Sequence, residues 1–221
     1  MSWRFVTCAA LFVTRLLTAN TIAAKLIVVF GVVLTAGIVI FPLSYVLGDV
    51  LTEVWGYAAA RRVIWLGFVC NAVAVAAVWI AGALPAATFG ASQLAYDEVL
   101  GQAPRILLAS FAAYLVGELA NAFVLAKLKI ATQGRHLWLR TIGSTVVGQA
   151  IDSAAFVTLA FAGTMPGGVL LGVIGGQWLF KVLYEAAGTP LVYAVVGWLK
   201  AREGVDVYDR DTDFNPIRLR G

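Results

Sequence analysis

The sequence predicts an all-α integral membrane protein, built as a bundle of six transmembrane helices. Hydrophobic residues make up 61% of its 221 residues and charged residues only 13%, whereas soluble domains carry about 25% charged residues. Six apolar runs are long enough to cross a bilayer, which takes about 20 residues per helix. Basic residues fall in alternate connections between these runs, as they do in proteins whose loops lie on the two sides of a membrane.

The six predicted spans account for most of the chain. They cover residues 4–23, 26–52, 62–83, 105–127, 141–163 and 168–199. The second and sixth are longer than a bilayer requires, so we expect them to tilt or break, and Pro42 favours a break in the second. The connection 84–104 is amphipathic and suits the membrane surface. Residues 1–200 are therefore predicted to form one transmembrane domain, and residues 201–221 a flexible cytoplasmic tail.

The distribution of positive charge predicts the orientation. Arg61 and Arg62 follow the second span, basic residues lie between spans four and five, and Lys200 and Arg202 follow the sixth. Lys and Arg concentrate in cytoplasmic loops, so both termini are predicted to be cytoplasmic. The first apolar run lacks a convincing cleavage site and is interpreted as a retained helix.

The residues that could carry chemistry exclude several classes of protein. His136 is the only histidine, and Cys8 and Cys70 both lie inside apolar runs. They supply neither a nucleophile–base pair nor a set of metal ligands, so we expect no enzyme, no metal and no cofactor. The net charge of +4 is scattered, so nucleic acid is not an expected partner. The expected partners are the lipid bilayer and a small molecule, and small and polar helix faces are compatible with a homodimer.

Charged residues inside the predicted spans indicate a polar cavity. Each costs roughly 2.5–3.5 kcal/mol at the bilayer centre on insertion scales, so such residues face the interior of a bundle. Asn20, Asn121 and Gln177 add neutral polar groups at similar depth. The charged residues are Arg15, Asp49, Glu53, Glu118, Asp152, Lys181 and Glu185.

Three- and four-residue spacing places these residues on common helix faces. Tyr45, Asp49 and Glu53, for example, lie on one ridge of a helix. Such faces combine carboxylates with an aromatic ring or a small residue. This suits a flat ligand with N–H donors, because rings stack on it and carboxylates accept hydrogen bonds from its edge. The candidate ligand-binding residues are Asn20, Tyr45, Asp49, Glu53, Glu118, Asn121, Thr145, Asp152, Trp178, Lys181 and Glu185.

Other interpretations remain open for some of these residues. Lys181 and Glu185 have the spacing of an intrahelical ion pair. Asp49 and Glu53 would also suit a solvated helix end at the cytoplasmic surface. Arg15 is expected to extend its charge to the membrane interface rather than to contact a ligand.

Four segments carry a resemblance to a known family. They are FPLSYVLGDVLTEVWGY, GELANAFVLAKLK, GRHLWLRTIGSTVVGQAIDSAAF and KVLYEAAGTPLVYAVVGWLK. They resemble the queuosine precursor transporter family, also described as a vitamin uptake transporter group. The resemblance implies a bacterial inner-membrane protein that is not an enzyme. It also implies import of two purine-like substrates, 7-cyano-7-deazaguanine and 7-aminomethyl-7-deazaguanine.

The chemistry of such a substrate suggests roles for the acids. A deazaguanine presents a ring N–H and an amino group on one edge, and one carboxylate can accept both hydrogen bonds. One of the two acids Asp49 and Glu53 could therefore bind the substrate while the other carries a proton, in either order. A secondary transporter or facilitator is the favoured function. The alternative is the substrate-binding subunit of an energy-coupling-factor-type vitamin importer, which would require a partner membrane subunit and ATPases.

Two similar segments predict an internal repeat. TANTIAAKL in the first span resembles LANAFVLAKL in the fourth. The offset from Asn20 to Asn121 nearly equals that from Asp49 to Asp152. Two three-helix halves would be inverted relative to each other, with the substrate site between them. In that arrangement these four residues surround one pocket, with Glu53 and Glu118 close by.

Overall fold

The protein is a helical bundle with one small hairpin. The computed structural model describes residues 2–22, 25–29, 32–87, 93–101, 104–164 and 166–218. In chain order its elements are α1 (Trp3–Ile22), β1 (Leu26–Val29), β2 (Val32–Thr35), a 3₁₀ helix (Ala36–Ile40), α2 (Phe41–Trp55), α3 (Tyr57–Ala83), α4 (Gln93–Leu100), α5 (Pro104–Ala131), α6 (Leu137–Phe161) and α7 (Gly167–Glu203).

Five of the predicted spans appear as long apolar helices. Helices α1, α3, α5, α6 and α7 are long and apolar enough to cross a membrane. Large apolar side chains cover their outer faces, for example Leu66 and Val73 on α3 and Leu171 and Leu183 on α7, which are all exposed. Exposed apolar surface of this extent is expected where lipid, not water, surrounds the helices. The protein is therefore a multi-pass membrane protein.

The predicted second span, 26–52, is not one continuous helix. Its first part is an antiparallel hairpin, in which Leu26 pairs with Thr35 and Val29 with Val32. A 3₁₀ helix follows, and α2 begins with Pro42 in its first turn. The β-branched residues of this run suit a strand as well as a buried helix, and periodicity does not separate the two. The all-α prediction is corrected at this point, whereas the expected break near Pro42 is present.

The short helix α2 occupies the centre of the bundle. It contacts α1, α3, α5 and α7. Helices α5 and α6 pack closely against each other, because glycines lie at their crossing. A Cβ atom at Gly148 would lie 2.7 Å from Cβ of Asn121, and one at Gly117 would lie 2.7 Å from Cβ of Asp152. The two glycines therefore allow the backbones of α5 and α6 to approach each other closely.

Both ends of the transmembrane domain lie on one side of the bundle. Arg4 at the start of α1 forms a 2.8 Å ion pair with Glu203 at the end of α7. The turn from α2 to α3 lies near the docked tail, since a Cβ atom at Gly56 would lie 2.7 Å from Val207. Gly56 has a φ of +83°, so glycine is favoured there for its conformation as well. This arrangement is compatible with the six spans that the sequence predicts.

The polar tail packs against the bundle through residues 204–218. The sequence had suggested a flexible tail instead. The backbone N–H of Tyr57 donates a hydrogen bond of 2.9 Å to the Asp209 carboxylate. Arg61, which is fully buried, donates to the backbone carbonyl of Asp213 at 2.8 Å. The tail thus satisfies a free N–H at the start of α3, whose own cap residue provides no side-chain hydrogen bond.

Asp206 attaches the first part of the tail to two helices. Its carboxylate accepts hydrogen bonds from Lys129 on α5 and pairs with Lys200 on α7 at 2.9 Å. Partial burial would raise the pKa of Asp206, but hydrogen bonds and charge from the two lysines outweigh it, and the pKa is lowered overall. Because its pKa is lowered in the folded protein, the Asp206 carboxylate stabilises the fold at pH values above the ordinary aspartate pKa. This stabilisation is lost as the pH falls through the lowered pKa.

Asp209→Ala is expected to lower the free energy of unfolding by about 1 kcal/mol, the usual cost of losing a carboxylate at a helix start. Thermal unfolding of the purified protein in detergent measures this. Asp211→Ala is the matched control, because Asp211 lies in the same tail with an exposed side chain. Equal unfolding temperatures for the two variants would show that the tail contact at α3 contributes nothing.

Candidate functional site

Helix α2 carries two buried acids, one helical turn apart. Only 1% of Asp49 and 0% of Glu53 is exposed. The interpretation of these acids as a solvated helix end is therefore wrong. Their surroundings differ: Glu53 meets several cations, and Asp49 meets an amide and a second acid.

Glu53 lies at the centre of an ion-pair network. Arg140 on α6 holds its carboxylate with two hydrogen bonds, Nη2 to Oε1 at 2.7 Å and Nε to Oε2 at 3.2 Å. Lys200 Nζ donates to Oε1 at 2.7 Å, and Lys129 Nζ lies 3.7 Å from the same oxygen. Lys129 also donates to the Glu53 backbone carbonyl at 2.6 Å. Bidentate arginine pairing fixes the carboxylate in one geometry, so Glu53 joins α2 to α5, α6 and α7.

Among the residues that the structure describes, no cation pairs with Asp49. Asn121 on α5 donates from Nδ2 to Asp49 Oδ1 at 3.1 Å. Glu185 on α7 interacts electrostatically with Asp49, and only 1% of Glu185 is exposed. Within the described residues, no hydrogen-bond partner reaches Asp49 Oδ2, Asn121 Oδ1 or either carboxylate oxygen of Glu185. Buried polar atoms without partners are rare in proteins, so this centre has the capacity to bind a ligand.

Glu118 and Arg15 form a separate pair beside this centre. Arg15 Nη2 donates to Glu118 Oε1 at 2.7 Å, and only 6% of Arg15 is exposed. The Arg15 guanidinium also lies 4.1 Å from the centre of the Phe12 ring, a cation–π contact. The expectation that Arg15 extends to the membrane interface is therefore wrong. Glu118 borders the centre, since its Oε2 lies 3.4 Å from the position of a Cβ at Gly48, next to Asp49.

Asp152 and Lys181 pair with each other. Lys181 Nζ on α7 donates to Asp152 Oδ2 on α6. Lys181 is therefore engaged by another helix, and the proposed intrahelical pair with Glu185 does not form. This pairing leaves Glu185 without a cation in the part of the chain that the structure describes, which the sequence alone did not reveal.

The remaining candidates lie at several places in the bundle. Asn20 donates to Asn71 at 2.9 Å, and both line a cavity of about 90 Å³ that is distinct from the Asp49 centre. Trp178 donates from its indole N–H to the Val146 carbonyl at 3.0 Å. Thr145 is buried in α6. Tyr45 is in α2, one turn before Asp49, but its side chain lies outside the described part of the structure.

The sequence analysis did not assign a site role to three basic residues that the structure places around Glu53. Lys200, and Lys129 as one of the basic residues between spans four and five, indicated only the orientation, although both are partners of Glu53. Arg140 is the third, and it lies inside the resembling segment GRHLWLRTIGSTVVGQAIDSAAF. That resemblance is the signal that could have singled it out.

Several buried acids within a bundle that presents apolar surface to lipid are typical of a membrane transporter, and this is the class of protein that the fold and the site indicate. Comparisons with known proteins agree. The chain belongs to the family described as "Putative vitamin uptake transporter", whose model matches residues 35–195. This confirms the family resemblance of the sequence.

Two curated relatives are similar over most of the chain. The "Probable queuosine precursor transporter" of Bacillus subtilis is 32% identical over 179 residues, which cover 80% of this chain and 77% of that protein. The "Queuosine precursor transporter" of Escherichia coli is 28% identical over 158 residues, covering 69% of this chain and 66% of that protein. No solved structure matches the chain significantly.

Proposed function

We propose that this protein imports queuosine precursors across the bacterial inner membrane as a secondary transporter or facilitator. The substrates are 7-cyano-7-deazaguanine and 7-aminomethyl-7-deazaguanine. The names of the two relatives support this choice of substrate. The observation that carries the proposal is the Asp49 centre, where buried acceptor atoms of Asp49, Asn121 and Glu185 lack partners among the described residues.

The Asp49 carboxylate is the proposed acceptor for the substrate's donor edge. A guanine-like ring offers a ring N–H and an amino group side by side, and the two oxygens of one carboxylate match this spacing. Glu118 and Asn121 are proposed to border the bound ring. Tyr45 and Trp178 are the proposed stacking residues, and Asn20 and Thr145 lie in the proposed path. Glu53, Asp152 and Lys181 are proposed to hold the helices around it.

Direct binding to the purified protein tests this proposal. Labelled 7-cyano-7-deazaguanine is expected to bind at least about a hundredfold more tightly than adenine. Adenine lacks the adjacent pair of donors, so it leaves a buried carboxylate oxygen without a partner. Equal affinity for the two bases would contradict recognition by the Asp49 carboxylate.

Both termini are proposed to be cytoplasmic, as the distribution of basic residues indicates. Single cysteines in a variant without Cys8 and Cys70 test this orientation. Arg135→Cys lies in the exposed α5–α6 connection, and Gly167→Cys lies at the start of α7, where a Cβ meets no atom within 4 Å. A membrane-impermeant thiol reagent added outside intact cells should label position 167 and leave position 135 unlabelled. The reverse pattern would mean that both termini face outward.

A further inference from the structure

The charges around the Asp49 centre do not balance. Glu53 has Arg140 and Lys200 within 2.7 Å. Glu118 is paired with Arg15 at 2.7 Å. Asp49 and Glu185 are the remaining buried acids of this region, and no ion pair reaches either of them within the described residues.

Two ionised carboxylates cannot lie side by side in a dry, low-dielectric centre without a cation. The charged groups that face the pair make this worse, because Glu118 on α5 and Glu53 on α2 both interact unfavourably with Asp49. The nearby cations are already engaged: Arg15 on α1 with Glu118, Arg140 on α6 with Glu53, and Lys181 on α7 with Asp152. The pair therefore holds one proton when the centre is closed to water.

Hydrogen bonding indicates which carboxyl holds this proton. The Asn121 amide donates to Asp49, and a donor stabilises the ionised form of its acceptor. Among the described residues, no group other than Asp49 itself reaches the Glu185 carboxyl. This contact favours Asp49 as the ionised member of the pair and Glu185 as the protonated one.

This division of roles matches the edge of a guanine-like ring. The edge presents a carbonyl oxygen as acceptor, next to the ring N–H and the amino group as donors. Ionised Asp49 supplies two acceptors for the two donors, and a protonated Glu185 supplies the one donor that the carbonyl oxygen needs. With Glu185 ionised, its oxygens would face that carbonyl oxygen, and two acceptors repel each other.

We propose that Glu185 carries the coupling proton of transport, an inference that rests on the proposed function. The carboxylate of Glu185 takes up one proton while the centre is open to the outside, and its O–H donates a hydrogen bond to the carbonyl of the bound substrate until the centre opens to the cytoplasm. The O–H bond breaks after substrate release, when water from the cytoplasm reaches the pair. One proton therefore enters with each substrate molecule, and substrate and proton bind cooperatively.

The pH dependence of binding tests this proposal with the full-length protein and 7-cyano-7-deazaguanine. For the wild type, the Kd is expected to rise by up to about tenfold per pH unit once Glu185 ionises in the empty protein. Glu185→Gln keeps a donor in the form of an amide N–H, so it should bind substrate with a Kd that no longer changes with pH. Glu185→Leu has no donor and should bind weakly at every pH. Glu98→Gln, at an exposed position of α4, should behave like the wild type.

Vesicles containing the purified protein provide the second measurement. An acidic exterior should drive accumulation by the wild type, whereas Glu185→Gln should only equilibrate substrate. A wild-type Kd that is independent of pH, or a Glu185→Gln variant with wild-type pH dependence, would overturn the proposal. Absence of binding at every pH would contradict the proposed function instead. In that case infrared spectra still decide whether Glu185 holds a proton. The band of protonated carboxyl groups should be weaker in Glu185→Gln than in the wild type if it does.

Discussion

Asp49→Asn is expected to abolish transport of 7-cyano-7-deazaguanine and to leave a folded, membrane-inserted protein. The amide replaces one of the two acceptor oxygens with a donor, so it cannot accept both hydrogen bonds from the substrate edge. Folding should not suffer, because Asp49 has no cation partner among the described residues. Removing its charge also removes its repulsion with the carboxylates of Glu118 and Glu53.

Uptake of labelled substrate and thermal unfolding should be measured on the same preparation. We expect uptake at background level and an unfolding temperature equal to or above that of the wild type. Asp97→Asn on α4, an exposed position, should retain full uptake. Normal uptake by Asp49→Asn would remove Asp49 from the substrate site.

Glu53→Gln is expected to have the opposite effect, a large loss of stability. Glu53 neutralises Arg140 and Lys200 at 2.7 Å, with Lys129 at 3.7 Å. Arg140 and Lys129 are each 1% exposed, so neither can recover its hydration when the carboxylate is lost. Removing one partner of a buried ion pair costs about 3–5 kcal/mol. The variant should therefore yield little monodisperse protein, and the remainder should unfold at a lower temperature.

Asp49→Asn is the matched control for this prediction, since it makes the same chemical change one turn away on the same helix. The two variants separate the roles of the two acids. A Glu53→Gln variant that is as stable as the wild type but inactive would favour a direct role for Glu53 in transport. That outcome would also restore the idea that Asp49 and Glu53 divide binding and proton transfer between them.

Most of the fold could be predicted from the sequence, because lipid imposes a simple rule on helix length and polarity. The five long helices follow from it. The hairpin from Leu26 to Thr35 could not be predicted, because a Val- and Ile-rich run is compatible with a strand and with a buried helix. The tail was also misjudged. Its polar composition suggested a free terminus, whereas Asp209 is 2% exposed and accepts a hydrogen bond from the start of α3.

The site could be predicted only as a set of residue types. The cost of charge in a membrane singled out Asp49, Glu118 and Glu185. It could not tell which acid would meet a cation, because partners come from other helices. Lys181 is four residues from Glu185, yet it pairs with Asp152 on α6. The packing of α7 against α6 decides this choice, and spacing within one helix carries no information about it. The inverted repeat remains a prediction.

Uptake of labelled 7-cyano-7-deazaguanine tests the central claim most directly. The recipient should be bacteria that lack both the synthetic pathway for deazaguanines and their own transporter, with this chain as the only added protein. We predict accumulation of label in the cells, abolished by Asp49→Asn but not by Asp97→Asn. Absence of uptake by a correctly inserted protein would contradict the account. Uptake only after addition of a partner membrane subunit and ATPases would show instead a substrate-binding subunit of an energy-coupling-factor-type importer.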